Sequence, residues 1–180
     1  MNIKRFIKKS AFSVEKFFIT KLAYVDSRAY MKFYNALLQR VGVKLEGGGK
    51  PRFIAASVRF DTFDLITIGD RSTISSNVIL LTHDYSYTNA LIAVGQTPKT
   101  DVGIIRPITI GCNVFIGMNV VVLPGTVVED NVVVGAGSVI RGRLESNSVY
   151  IGNPAVRICS IEDYKEKIDK RNLEKVIDKK

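Results

Sequence analysis

Histidine and cysteine are nearly missing from these 180 residues: there is one histidine, His83, and there are two cysteines, Cys112 and Cys159. Two cysteines are too few for a disulfide framework or a cysteine zinc site and suit a reducing compartment. A single histidine excludes a three-histidine zinc centre, and no cluster of metal ligands stands elsewhere, so no metal is expected. No apolar run reaches the roughly 18–20 residues of a membrane span. Nor is there the apolar block of about 7–15 residues with a small-residue cleavage site that marks a secretory leader, so the expected location is the cytoplasm. Acidic residues are scarce in one region only. The first 50 residues hold eleven Lys and Arg against three acids (Glu15, Asp26 and Glu46), a net +8, whereas the other 130 hold fifteen against fourteen. The overall charge of +9 is therefore an N-terminal feature. It is not the basic stripe through a folded core that a nucleic-acid groove requires, and no nucleic-acid partner is expected.

What is present is a chain with 46% apolar and 24% charged residues, the composition of one folded domain. Residues 2–18 place Ile3, Phe6, Ile7, Ala11, Val14, Phe17 and Phe18 at helical spacing between Lys4, Arg5, Lys8, Lys9 and Lys16, an amphipathic basic helix. A second helix is predicted from Asp26 or Ser27 to Gly42, burying Tyr30, Phe33, Tyr34, Leu37, Leu38 and Val41. From Ser160 the chain opens with a capping-box spacing to Asp163 and alternates charges to Lys180, a solvated third helix.

Between these helices a six-residue rhythm takes over. Apolar residues recur at Ile110, Ile116, Val122, Val128, Val134 and Ile140, with Gly111, Gly117 and Gly135 after three of them. The same pattern runs through Ile68, Ile74 and Leu80, and more faintly through Leu45 and Ile54. Each unit reads as a short strand and a tight corner, so three units close a triangular coil of about 18 residues, with coils stacked at about 4.8 Å. Ile110 then lies under Val128, Ile116 under Val134 and Val122 under Ile140. The period leaves the handedness of the coil open. A β-sandwich would show variable strand lengths and turn signals every 8–12 residues or so. The rhythm breaks once, between Leu80 and Pro107, and a long insertion in a strict repeat reads as functional. "GAGSVI" lacks the third glycine and the strand-to-helix setting of a dinucleotide site.

The run "PITIGCNVFIGMNVVVLPGTVVEDNVVVGAGSVIRG", followed by "YIGNPAVRI", resembles the hexapeptide-repeat acyltransferases. That resemblance implies a left-handed parallel β-helix, an all-β solenoid here flanked by N-terminal helices, a protruding loop and a C-terminal helix. The expected organisation is an N-terminal basic helical segment over 1–44, the β-helix over 45–158 with its insertion at about 82–106, and a charged helix over 159–180. "LLQRVGVKL", the "THD" before the insertion and "GNPA" resemble, more narrowly, the sugar O-acetyltransferases of capsule, exopolysaccharide and lipopolysaccharide synthesis.

The resemblance implies a homotrimer with active sites between adjacent prisms, acetyl-CoA as co-substrate and a saccharide acceptor. An alcohol at neutral pH is a poor nucleophile, so a general base must take its proton during attack on the thioester. The family's loop histidine maps to His83. Its ring partner is left among Asp84, Asp101 and a backbone carbonyl. The family's oxyanion donor maps to the N–H of Met118. Phe115 stands where many members carry Trp, keeping a packing surface without the indole donor. Gly117, Gly135, Ala136 and Ser138 map along the CoA arm, with Arg141, and also Arg143 and Arg157, on its phosphates. Tyr85, Tyr87, Thr88 and Asn89 either line a sugar pocket or pack within the loop. Residues 1–20 either lie on the anionic inner face of the membrane or pack on the prism or a neighbouring subunit. Acyl transfer to an amine, on an amino sugar or an antibiotic, and a non-catalytic β-helix scaffold are the alternative readings.

Overall fold

The computed structural model describes residues 3–48 and 50–172 of the chain, with side chains from Phe12 to Arg171. Strands mostly of two or three residues stack in parallel in three sheets, one for each side of a triangular solenoid. Sheet A stacks Lys44–Leu45, Ile66–Ile68, Ile108–Ile110, Val127–Val128 and Arg143–Leu144. Sheet B stacks Phe53–Ile54, Thr73–Ile74, Phe115–Ile116, Val133–Val134 and Ser148–Gly152, and sheet C stacks Arg59–Phe60, Ile79–Leu80, Val121–Val122 and Val139–Ile140. The register is the one the six-residue period predicts: Ile110 pairs with Val128, Ile116 with Val134 and Val122 with Ile140. Side chains point inward once in the two-residue strands and twice in Ile66–Ile68 and Ile108–Ile110, and Ile68, Ile74, Leu80, Ile116, Val122 and Val134 are fully buried. Short strands suit this wall, because β-branched side chains pack well on a pleated surface and none has to bend around a corner.

The corners need left-handed backbone, and the repeat supplies it with asparagine. Asn113, Asn131 and Asn147 sit at the corner between sheets A and B with φ of 55°, 58° and 54°. Their amides form a ladder up the corner, Asn113 Nδ2 donating to Asn131 Oδ1 and Asn131 Nδ2 to Asn147 Oδ1, both at 2.9 Å. Asn77 and Asn119 do the same backbone work between sheets B and C.

Helix α1 (Ile3–Leu22) packs against α2 (Ser27–Val41), which closes the first coil. Asp26 caps α2 by accepting from the N–H groups of Arg28 and Ala29, and Gly42 ends it at φ 120°. Its buried side chains are Tyr30, Met31, Tyr34, Leu37 and Leu38. Phe33, predicted to be buried, faces outward, and Met31 fills the inner face in its place. The Tyr30 hydroxyl donates to the Ile54 carbonyl at 2.7 Å, and the Ile54 N–H points at Met31 Sδ, 3.3 Å away. At the other end Ser148–Gly152 folds back through a cis Asn153–Pro154 bond onto the antiparallel strand Ala155–Ser160. The capping box is formed: Asp163 N–H donates to Ser160 Oγ at the start of α4 (Ile161–Asn172). The last eight residues of the predicted tail helix, 173–180, lie outside the described residues, as do the side chains of residues 3–11.

Candidate active site

His83 leaves the solenoid at the corner between sheets C and A, three residues after Leu80. His83–Asp84 pairs with Ile104–Ile105 in a two-stranded antiparallel ribbon, which pinches the insertion at its base. Arg106 N–H donates to the Thr82 carbonyl below it. The stem carries α3 (Ser86–Ala93). Thr88 is buried, accepting from Val102 N–H at 2.8 Å and donating to Val102 O, so it packs within the loop. Tyr85, Tyr87 and Asn89 are exposed on the same segment. The Tyr85 ring lies 6.0 Å from the imidazole, and a Cβ on Gly103 would come within 2.8 Å of it, so glycine there makes room for the tyrosine.

The imidazole Nδ1 is hydrogen-bonded to Asp61 Oδ2. That same oxygen accepts from Thr82 N–H at 3.0 Å, Thr82 Oγ1–H at 3.1 Å and His83 N–H at 3.2 Å. Burial pushes the Asp61 carboxyl up, but the Thr82 N–H, the His83 ring and the Thr82 hydroxyl outweigh it and hold the group below the usual carboxylate range. An ionised carboxylate only accepts, so Nδ1 carries the proton and a neutral ring keeps its lone pair on Nε2. This is the tautomer and orientation a general base requires.

Asp61 was not among the candidates read from sequence. Asp84 turns away instead, accepting from Ser86 N–H at 2.8 Å to start α3, and that bond holds its exposed carboxyl below the usual range. Asp101 is exposed in the insertion. The ring partner therefore comes from the previous coil, at the same corner.

The other candidates gather elsewhere. Met118 is at the corner between sheets B and C, half exposed, and Phe115 is exposed on sheet B between Thr73 and Val133. Gly117, Met118, Gly135 and Ala136 stack there in successive coils, with Gly137 N–H donating to the Met118 carbonyl at 2.8 Å. A Cβ on Gly117 would lie 2.6 Å from Ala136 N, so this corner admits no side chain at 117. Ser138, placed along the CoA arm by resemblance, is buried: its hydroxyl donates to Gly135 O at 2.7 Å and accepts from Gly152 N–H at 3.0 Å, leaving it a structural brace. Arg141 is exposed. Arg143 pairs with Glu129 on sheet A, and Arg157 Nε donates to Ser148 Oγ at 2.8 Å. His83 and Met118 thus occupy opposite edges of sheet C, and one copy of the chain does not bring them together.

A family model described as bacterial transferase hexapeptide (six repeats) matches residues 107–142. Protein CapG of Staphylococcus aureus is 39% identical over 135 residues, covering 73% of each chain. A protein of Escherichia coli (strain K12) named for lipopolysaccharide biosynthesis O-acetyl transfer, WbbJ, is 29% identical over 142 residues, 73% of this chain and 72% of that one. The fold matches a hexapeptide-repeat acetyltransferase from Vibrio cholerae O1 biovar eltor, solved with acetyl coenzyme A, at a TM-score of 0.56 and 23% identity over 84% of this chain and 87% of that one. By its repeats, its coil register and these relatives, the chain belongs to the hexapeptide-repeat acyltransferases.

Proposed function

We propose that this acyltransferase moves an acetyl group from acetyl-CoA to a sugar hydroxyl in the assembly of a cell-surface polysaccharide, working in the cytoplasm as a trimer of left-handed β-helices. The observation that carries this reading is the Asp61-held imidazole of His83 at the mouth of the insertion. The name of the lipopolysaccharide O-acetyl transfer relative supports the acetyl group, the hydroxyl acceptor and the polysaccharide setting. Residues 45–158 carry the chemistry, flanked by the helical segments 1–44 and 159–180.

In this mechanism Nε2 of His83 takes the acceptor hydroxyl proton as its oxygen attacks the thioester carbonyl carbon. The carbonyl oxygen gathers negative charge, which Met118 N–H of a neighbouring copy meets by hydrogen bonding. When the C–S bond breaks, the imidazolium returns its proton to the CoA thiolate and the ester leaves. Asp61 stays ionised throughout and stabilises the imidazolium. Tyr85, Tyr87 and Asn89 face the acceptor beside His83, and Phe115, Gly117, Gly135 and Ala136 line the acyl donor, with Arg141 and Arg157 toward its phosphates. The test is release of free CoA thiol by the wild type and by His83→Ala against a panel of sugars and polysaccharide fragments. Turnover stimulated by one acceptor should fall by about 10²–10⁴ in the variant. Equal turnover of the two proteins on the best acceptor would remove His83 from the chemistry.

A further inference from the structure

We propose that the outward face of α1, with the turn that follows it, is a docking surface for an anionic lipid bilayer. Among its described side chains the helix has two apolar faces, and one of them is used inside the molecule. Phe12, Ile19, Leu22 and Ala23 pack against the core, with the Phe12 ring 4.9 Å from Phe63. On the opposite side, at spacings of three and four, Val14, Phe17 and Phe18 are 59%, 58% and 67% exposed. Tyr24 and Val25 continue the patch beyond the helix at 89% and 86% exposure. In the sequence, Ile3, Phe6 and Ile7 carry the same spacing toward the N-terminus. Among the described residues no helix is long and apolar enough to cross a membrane, so such a face would lie in the interface rather than span it.

Charge selects the occupant. The apolar stripe is set in the region where eleven Lys and Arg meet three acids, and Lys21 lies over the Phe17 ring, 4.9 Å from its centroid. A second copy docked through the same face would bring the same excess of positive charge against it. An anionic lipid surface is complementary to the cations and receives the aromatic and aliphatic side chains at headgroup depth.

Flotation of the full chain with vesicles of phosphatidylcholine, with and without phosphatidylglycerol, tests the proposal. The chain should float with the anionic vesicles and be released by high salt. The double variant Phe17→Ser, Phe18→Ser removes two side chains outside the core and should weaken vesicle binding by at least about tenfold while leaving turnover on a water-soluble acceptor unchanged. Failure of the wild type to bind anionic vesicles, or equal binding by the variant, would overturn it. So would loss of the native oligomer in the variant without any vesicle binding by the wild type, which would make this face a contact between copies. Binding is read without acetyl transfer, so the outcome is independent of the catalytic reading.

Discussion

A carboxylate that accepts four hydrogen bonds through one oxygen has little freedom to move, and Asp61 passes that constraint to the His83 ring. Asp61→Asn keeps the shape but replaces a pure acceptor with a group that can also donate, so the ring loses its fixed tautomer. Turnover should drop by about 10–10³-fold, mostly in kcat, with the acetyl-CoA KM little changed. The same contacts give a stability signature. The Asp61 carboxyl is held below its ordinary value in the fold, so its contribution is complete above the unfolded value near pH 4 and fades as the pH falls through the folded one. The difference in thermal midpoint between wild type and Asp61→Asn should shrink as the pH falls below about 4 and the carboxylate is neutralised; a difference that keeps widening below about pH 4 would contradict this account. His83 was legible in the sequence as a lone histidine where the repeat breaks. Asp61 was not, because a strict 18-residue coil puts Leu65 beneath His83. The turn Phe63–Leu65 lengthens that coil, so that Phe60 pairs with Leu80 and carries Asp61 to the corner.

The coil is the next unit up, and its corners hold the stack in register. Asn131 carries both a left-handed backbone and the middle rung of the amide ladder. Asn131→Gly removes the rung and keeps the backbone free to turn, whereas Asn131→Ala removes the rung and adds left-handed strain. Urea unfolding should find the alanine variant less stable than the glycine variant by about 1 kcal/mol. Equal midpoints would mean that the corner tolerates alanine. The stacking of coils could be read residue by residue, since the period alone specified which apolar residue lies under which. The faces of α2 were less legible, because helical spacing places Tyr30, Phe33, Tyr34 and Leu37 on one broad stripe. Which edge of that stripe turns inward depends on how the helix lies across the first coil, and Met31 rather than Phe33 won the place.

At the scale of the whole molecule, the two halves of the proposed machinery sit on opposite edges of sheet C, so a complete site needs His83 from one copy and the Met118 corner from another. Mixing two inactive variants tests this. His83→Ala lacks the base, and Ala136→Tyr fills the exposed corner above Met118 without touching the core. Unfolded, mixed in equal amounts and refolded, they should recover about a quarter of wild-type turnover, since a quarter of the sites in a cyclic assembly draw both good halves. No recovery would place the whole site within one copy. The ends of the solenoid carry a different consequence. Parallel coils have no intrinsic stopping point, and an open strand edge is a template for the next chain. In sheet B the lower edge is closed by side chains, with Tyr30 and Met31 occupying the carbonyl and the N–H of Ile54, and the upper edge is closed by a strand running the wrong way for further parallel addition. At both ends, then, sheet B departs from the bare parallel edge that would template a further coil, which works against growth into a fibre.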